Sequence, residues 1–467
     1  MEDSTSYMRR PVFWNDVDRA SWESWLWQQQ NSVRSVDRLK DVLGAFGADG
    51  GKWDVANLVL TAERWVKNGF RFQVTPYVFS LVDWTLRVEE DPVWRQVFPL
   101  GDKARNEAAP DEYHVQNENW EDEAEMISPI AQHKYDNRII VYTSDVCLGY
   151  CNYCFRSLLS SADAERHGGN LYWKMTMEEI AKRPLVEEVI LSGGDPLIYN
   201  NEMLEKMLAD LRSLKNVRAI RIHTRAWTHN PYRIDEEFCS LLKKYEVTVL
   251  GVHVVHPREL TAEFSEAVGR VRASGAKTLL MADIPLIKNI NDRPEILRDL
   301  FMGLYVNGVK PYYLSHNMPN IPFASEQRTT VRKGAELMAA IKRKISNGAM
   351  PEYIITHKSG KKTVPEELIG TADFVYTFKE EMAAGGGPMV GPGASGRGIQ
   401  GAPERGIQGS LGRGWPVIRF KNWQGKWMEY LDAAPGFLEG MRVAVGVVAA
   451  LAGVAYIAAV WFNAALF

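Results

Sequence analysis

The sequence predicts an α/β fold whose centre is a barrel or partial barrel of six (β/α) units. Short β-branched runs alternate with helical patterns between about residues 138 and 357. The apolar runs are RIIVYT, EEVILS, VRAIRIHT, VTVLGVHVV, TLLMADIPLI and KPYYLS. Alternation at this spacing is typical of parallel strands joined by helical crossovers. We therefore expect the functional site at the carboxyl ends of these strands.

The region before the barrel has a different composition. Residues 1–130 are acidic and rich in Trp, and apolar residues recur at three- and four-residue spacing in SWESWLWQQQNSVRSVDRLKDVL and TPYVFSLVDWTLRV. This periodicity predicts a helical N-terminal region. The barrel with its C-terminal end is expected to occupy residues 131–382, and a long helix, TTVRKGAELMAAIKRKIS, follows the last of the six runs.

The composition changes sharply at residue 383. Residues 383–414 are rich in Gly and Pro and contain few large apolar groups, which predicts a flexible linker. The linker repeats RGIQG at Arg397 and Arg405. We interpret the repeat as a duplication within the linker, because no chemistry attaches to the motif.

The C-terminal residues 415–467 predict an amphipathic segment followed by a single hydrophobic helix. Residues 443–462 carry no charge and would be roughly 30 Å long as a helix. Basic side chains precede this segment and no charge follows it. The positive-inside rule therefore predicts a single-pass membrane anchor with the enzyme at the cytoplasmic face. The alternatives are a helix packed on the main domain and a cytoplasmic protein.

Charge and cysteine content exclude several classes of protein. The 467 residues carry 55 Lys and Arg against 58 Asp and Glu, a net charge of −3. This balance offers no basic surface for nucleic acid binding. Four cysteines cannot form a disulfide scaffold in a chain of this length. The N-terminal stretch MEDSTSYMRRPVFW lacks the apolar core of a cleaved secretory signal.

Three of the cysteines form the motif that carries the strongest chemical signal. Cys147, Cys151 and Cys154 stand in CLGYCNYC, a C-x3-C-x2-C spacing directly after the strand RIIVYTS. Three thiolates can hold three irons of a 4Fe–4S cluster and leave the fourth iron open to a small ligand. The alternative is a zinc site, for which His167 would supply the fourth ligand. Cys239, within EEFCSLLKKY, is expected to be a core residue of a helix.

A glycine motif ends the next predicted strand. Gly193, Gly194 and Asp195 stand in LSGGDPL, and glycines allow a backbone to approach a ligand closely. The cysteine motif after one strand and the Gly-Gly-Asp motif after the next resemble the radical S-adenosylmethionine superfamily, in which the second motif holds the methionyl ammonium group. The resemblance implies the partial (β/α)6-type barrel of that superfamily, with an iron–sulfur cluster and S-adenosylmethionine as cofactors.

The chain further resembles the lysine 2,3-aminomutase-like (KamA) family over about residues 20–365. The matching stretches include WLWQQQNSV, CNYCFR, LSGGDPL, HPRELT, LIKNINDRP and VKPYYLSHN. The resemblance implies an isomerase that generates a 5′-deoxyadenosyl radical and removes a hydrogen from C3 of an amino acid. Pyridoxal phosphate carries the amino nitrogen from C2 to C3 in that family. The resemblance also implies a cellular electron donor, and it leaves a homo-oligomer open.

Four positions match residues that bind substrate or coenzyme in the family. Arg156, in CNYCFR, falls where an arginine binds the carboxylate of the amino acid, which suits a planar guanidinium. Lys134 and Arg138, in HKYDNR, fall where the coenzyme phosphate binds, and Lys134 replaces an arginine. His253, in GVHVVHP, falls at a histidine on the coenzyme side. A purely structural histidine is the alternative for this last position.

The lysine that would bind pyridoxal phosphate lies where the chain departs from the family. Members of the family have an aspartate, a glycine-rich run and then Lys-Thr-Pro or Lys-Ile-Pro, whereas this chain reads IITHKSGKKTVP. Lys362, which precedes Thr363, is the closest counterpart, and Lys361 is the alternative. Pro365 comes one place later than in the family. A basic turn that binds no coenzyme is the third interpretation.

A second departure concerns the substrate. Lysine-specific members use two aspartates to receive the ε-ammonium group. The first of these positions falls on Met318, and the second falls on Ile355 or Thr356. None of these side chains can pair with an ammonium, and burying a charge without a partner is strongly unfavourable. The resemblance therefore implies an α-amino acid substrate other than lysine.

These observations lead to one expectation and two alternatives. We expect a radical S-adenosylmethionine, pyridoxal phosphate-dependent 2,3-aminomutase-like isomerase that acts on a non-lysine amino acid. The first alternative is a family member that has lost the coenzyme and performs another radical rearrangement, which the altered lysine motif favours. The second is a membrane-tethered iron–sulfur electron carrier, in which the Gly-Gly-Asp motif and Arg156 would have no purpose.

Overall fold

The structure is a computed structural model, and it describes ten stretches of the chain. These are residues 5–46, 53–67, 70–98, 123–154, 170–319, 321, 324–365, 374–378, 416–422 and 424–432. The predicted linker 383–414 and the uncharged segment 443–462 lie outside these stretches. Within the described stretches, no helix is both long enough and apolar enough to cross a membrane.

Six short helices form the N-terminal region. They are α1 (Arg19–Trp22), α2 (Trp25–Gln30), α3 (Val36–Phe46), α4 (Val55–Lys67), α5 (Pro76–Phe79) and α6 (Trp94–Val97). Asp18, Ser24 and Thr75 begin α1, α2 and α5, because each side chain accepts a hydrogen bond from a backbone N–H of the first turn. The region has its own aromatic core, in which the rings of Trp94 and Phe98 stack at 3.6 Å between centroids.

A sheet of ten strands follows, and its strands lie in chain order. They are β1 (Met126–Ser128), β2 (Ala131–Tyr135), β3 (Arg138–Ser144), β4 (Glu188–Gly193), β5 (Ala219–Thr224), β6 (Val249–His253), β7 (Leu279–Leu286), β8 (Lys310–His316), β9 (Glu352–His357) and β10 (Gly360–Thr363). Strands β3 to β9 are parallel, whereas β1, β2 and β10 pair antiparallel at the two edges.

Helices connect the parallel strands. They are α7 (Asn170–Ala181), α8 (Asn201–Ser213), α9 (Ala226–His229), α10 (Glu236–Lys244), α11 (Ala262–Ala273), α12 (Pro294–Val306), α13 (Ala324–Gln327) and α14 (Val331–Ile341). Apolar faces of the longer helices and the outward-facing strand residues form one core cluster. The α/β prediction is therefore confirmed, and all six predicted runs form strands, β3 to β8. The parallel strand β9 was not predicted.

The sheet curls until its two edges meet. The Tyr135 hydroxyl, at the end of β2, accepts a hydrogen bond of 3.0 Å from the backbone N–H of Lys361 in β10. The Lys134 ammonium donates to the carbonyl of Lys358 in the turn before β10. Gly360 is needed at this contact, because its φ is +114° and a Cβ there would lie 2.8 Å from the Tyr135 hydroxyl. The inward-facing side chains of the strands therefore surround an enclosed lumen.

A three-stranded antiparallel sheet shows that the main domain extends beyond residue 415. Its strands are β11 (Phe374–Phe378), β12 (Pro416–Lys421) and β13 (Trp427–Leu431). Ile418, Phe420 and Tyr430 belong to the core cluster of the barrel. The sequence predicts an amphipathic segment at the start of residues 415–467, whereas the described residues between 416 and 432 form strands that pack as part of the domain.

The end of β13 contacts the barrel through buried polar groups. The Tyr430 hydroxyl lies 2.7 Å from Nδ1 of His316 at the end of β8. The Asp432 carboxylate, fully buried, accepts the backbone N–H of Val331 at 2.9 and 3.0 Å and so caps the first turn of α14. The hairpin of β12 and β13 thus holds the β8 and α14 segments in place.

The Asp432 cap can be tested by substitution. Asp432→Ala should lower the free energy of unfolding by about 1–3 kcal/mol, because it leaves a buried backbone N–H without its acceptor. Gln424→Ala is the matched control, because Gln424 lies exposed on the same hairpin. Chemical denaturation of both variants measures the difference. An unchanged midpoint for Asp432→Ala would show that the hairpin does not stabilise the barrel.

Candidate active site

The lumen of the barrel contains a cavity of about 450 Å³. Inward-facing residues of β2, β3, β4, β5, β7, β8, β9 and β10 line it. Among the described lining residues, Asp283 is the only carboxylate, whereas Lys134, Arg138, Arg221 and Lys361 are cationic. Arg221 is neutralised in part by Glu188, whose Oε1 lies 2.7 Å from Nη2. The cavity is thus suited to a ligand with anionic groups.

The three-cysteine motif forms the loop after β3, as the sequence predicted. Cys147, Cys151 and Cys154 are each partly exposed and are not joined in disulfides. Burial raises the pKa of the Cys151 thiol, although the charge of Arg225 acts in the opposite direction. A bound metal would reverse this effect, because coordination stabilises the thiolate. Three thiols in one loop fit a cluster with one iron left open.

The N-terminal region holds this cysteine loop through backbone contacts. The N–H of Tyr150 donates to the Gln73 carbonyl at 3.3 Å, and the N–H of Asn152 donates to the Gln96 carbonyl at 2.8 Å. The Gln73 side chain donates to the Leu148 carbonyl at 3.3 Å. This role of the N-terminal region could not be predicted from residue types, because the contacts are made largely by main-chain atoms.

The Gly-Gly-Asp motif packs against the start of the same loop. The N–H of Gly194 donates to Ser144 at 2.5 Å, and the N–H of Asp195 donates to Val146 at 2.9 Å. Gly193 has a φ of +110°, which favours glycine. A Cβ on Gly194 would lie 2.2 Å from the Val146 carbonyl oxygen. Both glycines are therefore required for the close approach of β4 to the cysteine loop.

The Asp195 side chain is occupied by protein groups. Its carboxylate accepts hydrogen bonds from the Thr224 hydroxyl at 2.8 Å, the Arg225 N–H at 2.7 Å and the Leu197 N–H at 2.9 Å. Burial raises the pKa of Asp195 to about 6, against the opposing effect of these hydrogen bonds. The family resemblance implies that this motif contacts the methionyl ammonium. The backbone of the two glycines fits that role better than the Asp195 carboxylate, because the carboxylate is already hydrogen-bonded to protein groups.

A buried polar cluster beneath the cysteine loop was not predicted. Arg225, directly after β5, donates to Gln96 at 2.6 Å, to Glu259 at 2.9 Å and to Nε2 of His229 at 2.8 Å. Burial and the charge of Arg225 hold the pKa of His229 well below its usual value. Gly149 of the cysteine loop lies against His229, since a Cβ there would be 2.2 Å from Nδ1. The position of Arg225 at a strand end was the only available sequence signal.

The two basic residues predicted to bind the coenzyme phosphate both line the cavity. Lys134 lies 2.9 Å from the carboxylate of Glu125. The guanidinium of Arg138 lies over the ring of Tyr135, with Cζ 4.3 Å from the centroid. Their position on β2 and β3 places two cations together on one wall of the lumen.

The hairpin of β9 and β10 separates the two candidate lysines. Lys361 pairs with Thr356 and lines the cavity, whereas Lys362 pairs with the core residue Ile355 and faces the other side of the sheet. Directly paired residues share a face and neighbouring residues alternate. The sequence motif favours Lys362, whereas the structure places Lys361 in the lumen. The reason for the difference is the strand register, which the motif alone does not specify.

The environment of Lys361 suits a reactive amine. Its side chain is accessible, but the accessible surface lines the cavity, and Nζ lies 4.2 Å from the centroid of the Tyr313 ring. Burial lowers the pKa of Lys361, and Arg221 and Arg138 lower it further, whereas Asp283 opposes them. A lowered pKa increases the fraction of neutral, nucleophilic amine.

Two histidines and a carboxylate meet on β5, β6 and β7, and two of these residues, His223 and Asp283, line the cavity. Nδ1 of His223 lies 3.1 Å from Nε2 of His253 and 3.3 Å from Oδ2 of Asp283. Burial lowers the pKa of His223 to about 3 and lowers the pKa of His253. Burial would raise the pKa of Asp283, but Lys361 and the histidines outweigh it and lower the pKa. Only His253 was predicted; the alternating positions of β5 and β7 could have indicated the other two.

Two of the three positions that the sequence links to substrate choice reach the cavity. Met318 and Thr356 both line it, whereas Ile355 lies buried in the core. Tyr312 and Tyr313 line the same part of the wall, and their hydroxyls are 2.8 Å apart. The remaining predicted site residue, Arg156, lies outside the described stretches.

Comparisons with known proteins agree with these observations. The Radical SAM superfamily profile matches residues 141–300. The L-lysine 2,3-aminomutase of Fusobacterium nucleatum is 30% identical over 359 residues, which cover 76% of this chain and 79% of that protein. This chain belongs to the lysine 2,3-aminomutase-like family. It is therefore an isomerase, and the electron-carrier alternative is wrong.

Two further relatives show the breadth of the family. The L-lysine 2,3-aminomutase of Clostridium subterminale is 30% identical over 76% of this chain and 81% of that protein. The glutamate 2,3-aminomutase of Clostridioides difficile is 26% identical over 74% of this chain and 78% of that protein. A solved structure, the radical SAM coproporphyrinogen III oxidase HemN of Escherichia coli, matches with a TM-score of 0.29 and 15% identity over 45% of this chain and 54% of that chain. Membership of the family implies a 4Fe–4S cluster and S-adenosylmethionine.

The packing of the Gly-Gly-Asp motif leads to a test of the cluster site. Gly194→Ala should displace Val146 and the cysteine loop, because the added methyl would meet backbone atoms that cannot move alone. We expect iron per chain after anaerobic reconstitution to fall toward the level of Cys151→Ala. Gly269→Ala is the control, since a Cβ at that helical position has no neighbour within 4 Å. Wild-type iron in Gly194→Ala would contradict the proposed geometry.

Proposed function

We propose that this chain is a pyridoxal phosphate-dependent radical S-adenosylmethionine 2,3-aminomutase that acts on an α-amino acid other than lysine. The observation that carries the proposal is the position of Lys361. It lies in the lumen of the barrel near two basic residues, in a barrel whose β3 leads directly into the cysteine loop. A coenzyme attached there would lie inside the same barrel whose end holds the radical source.

The cysteine loop would hold the cluster in this proposal. Cys147, Cys151 and Cys154 would each bind one iron, which leaves the fourth iron open to S-adenosylmethionine. The backbone of Gly193 and Gly194 would approach the methionyl ammonium, and Asp195 would position that backbone through its bonds to β5. A cellular electron donor would reduce the cluster from the outside of the loop.

The residues of the lumen fit pyridoxal phosphate. Lys361 is the proposed attachment point, and Lys134 and Arg138 are the proposed phosphate ligands. A cavity of about 450 Å³ has room for the coenzyme and a small amino acid. His253 would act on the coenzyme side through His223, which it contacts at 3.1 Å. When bound, the coenzyme supplies the carbonyl chemistry that lets an amino nitrogen move between carbons.

The substrate would be held by its carboxylate and selected by its side chain. Arg156, two residues after Cys154, is the proposed carboxylate ligand, because a guanidinium binds a carboxylate through two parallel hydrogen bonds. Met318 and Thr356 would contact the far end of the side chain. Asp283 already faces Lys361 and His223, so it does not provide a dedicated partner for a substrate ammonium.

A specific observation also favours the alternative of a member that has lost the coenzyme. The glycine run before the lysine is reduced to Gly360, which instead allows contact with Tyr135. In that case the lumen cations would bind another anionic ligand, and the radical step would remain. The coenzyme experiment below separates the two proposals.

The location of the protein is part of the proposal. A membrane anchor through residues 443–462 would keep the enzyme at the cytoplasmic face. Because the hairpin of β12 and β13 packs on the barrel, the linker 383–414 would not be the segment that separates the anchor from the domain. An enzyme that stays in the cytoplasm without an anchor, and one that forms homo-oligomers, are alternatives. Carbonate extraction of membranes from cells that express the full chain distinguishes an anchored protein from one that is not.

The attachment point can be tested with neighbouring lysines. Borohydride reduction of coenzyme-loaded protein should fix pyridoxal phosphate to Lys361, because only this lysine of the pair reaches the lumen. Peptide mapping by mass spectrometry locates the adduct. Lys361→Ala should abolish it, and the matched variant Lys362→Ala should retain it. An adduct on Lys362 would overturn the assignment, and the absence of any adduct would support the coenzyme-free alternative.

Substrate choice follows from the far end of the cavity. We expect kcat/KM for lysine to be at least about 100-fold below that of the best substrate. Burying an ammonium without a partner costs at least about 2.7 kcal/mol, and this free energy corresponds to a ratio of about 100. A panel of amino acids with product analysis measures the ratio. Met318→Asp combined with Thr356→Asp should narrow the gap, whereas the uncharged control Met318→Leu should not. Efficient turnover of lysine by the unmodified enzyme would contradict the proposal.

A further inference from the structure

Three side chains with metal-binding atoms converge beside the lumen, and two of them, His223 and Asp283, line it. They are His223 at the end of β5, His253 at the end of β6 and Asp283 in β7, and one ligand atom from each lies within 4.8 Å of the others. Nδ1 of His223 is 3.1 Å from Nε2 of His253 and 3.3 Å from Oδ2 of Asp283. Two imidazoles and one carboxylate are a ligand set that first-row divalent ions favour.

These separations match the distances between ligands of one metal ion. Bonds of about 2.0–2.2 Å to nitrogen and oxygen place neighbouring ligand atoms about 3.3–3.5 Å apart around a tetrahedral ion and about 3 Å apart around an octahedral one. The two observed separations, 3.1 and 3.3 Å, fall within this span. Two of the three separations therefore already match those around a single ion, and the third, between His253 and Asp283, lies within 4.8 Å.

Hydrogen bonds among His223, His253 and Asp283 do not satisfy all the polar atoms of these three side chains. A neutral imidazole carries one N–H, so Nδ1 of His223 cannot donate fully to both His253 and Asp283. Oδ1 of Asp283 is buried and has no hydrogen-bond partner among the described residues. A buried carboxylate oxygen without a donor is costly, and a cation bound to the carboxylate removes that cost.

The strand register builds this arrangement. His223 is paired with Gly251, and His253 is paired with Asp283 across three adjacent parallel strands. Gly251 leaves the space that His223 occupies, because a Cβ at residue 251 would lie 2.8 Å from Nδ1. The side chain of His223 can therefore lean toward β6 and β7 and meet the other two ligands.

The charges that face the group decide where an ion could sit. Lys361, Arg221 and His253 itself are the groups that act on His223 and Asp283 from the neighbouring elements, and Arg221 is paired with Glu188 at 2.7 Å. Lys134 and Arg138 belong to β2 and β3, on the other wall. Of the cations on neighbouring elements, Lys361 would therefore be the main one to repel a divalent ion bound at β5–β7, because Arg221 is already paired with Glu188.

We propose that His223, His253 and Asp283 bind one first-row divalent transition metal ion, separate from the iron–sulfur cluster, with an open coordination position that faces the lumen. Three protein ligands plus an open position are typical of metal sites that bind water or a substrate heteroatom. The site uses His223 and His253, which are also proposed to act on the coenzyme side, but it does not use Lys361, Lys134 or Arg138. Zinc binding can therefore be measured without the coenzyme and without turnover.

The experiment uses full-length protein with its cluster reconstituted, so that the cysteine loop is already occupied by iron. Zinc is the probe: the protein is equilibrated with zinc ions, desalted, and analysed for zinc and iron by mass spectrometry. We expect one zinc per chain in addition to the cluster iron. His223→Ala, His253→Ala and Asp283→Asn should each lose the zinc and keep the iron, which shows that these variants remain folded.

Two further measurements make the result specific. His133→Ala is the matched control, since His133 lies on β2, outside the proposed ligand set, and its Nε2 lies 3.2 Å from the carbonyl oxygen of Asp136. It should keep the zinc. X-ray absorption at the zinc edge should show nitrogen and oxygen neighbours with an imidazole pattern and no sulfur. Less than one zinc per chain in the unmodified protein, wild-type zinc in any of the three ligand variants, or sulfur in the zinc shell would each overturn the proposal.

Discussion

The buried guanidinium of Arg225 is the interaction on which the cluster end of the barrel depends. It follows β5 and donates to Gln96 of the N-terminal region, to Glu259 after β6 and to His229 in α9. The backbone N–H of Arg225 donates to the carboxylate of Asp195, which follows β4. Because removing one partner of such a buried pair costs about 3–5 kcal/mol, these four segments are held in one arrangement. The cysteine loop rests on that arrangement, so the position of the radical source relative to the lumen is fixed by it.

The lumen has two chemically different walls, and this difference explains how one cavity can hold several groups. The wall of β2, β3 and β10 presents the cations Lys134, Arg138 and Lys361. The wall of β5 and β7 presents His223 and Asp283, and His253 of β6 contacts His223. An anionic ligand would be attracted to the first wall, and a cation to the second. The tyrosines of β8 and Met318 complete the surface with weakly polar and apolar atoms, which suits a substrate side chain without a charge at its end.

The sequence was sufficient for features that depend on local patterns. The six β-branched runs correspond to β3–β8, and the cysteine and glycine motifs lie at the ends of β3 and β4 as expected. Features that depend on tertiary register were not predictable. Lys361 and Lys362 are adjacent, and only the pairing with Thr356 and Ile355 decides which one faces the lumen.

Long-range packing accounts for the other differences. Residues 416–432 follow a glycine-rich stretch, and their aromatic and basic composition suggested an amphipathic tail. Tyr430 and Asp432 instead reach His316 and Val331, which are more than 90 positions away in the chain. The roles of Arg225 and Asp283 were missed for the same reason. Each is one polar residue in or after an apolar strand, and its partners come from segments that are distant in sequence.

The central claim is that an amino group moves between neighbouring carbons inside this barrel. The most direct measurement uses reduced, coenzyme-loaded enzyme with S-adenosylmethionine and a mixture of amino acids that carry nitrogen-15 at the α-amino group. The products are analysed by nuclear magnetic resonance. The account predicts a β-amino acid in which the labelled nitrogen is bonded to C3 of the original carbon chain. Consumption of S-adenosylmethionine with the label still on C2, or released as ammonia, would contradict it.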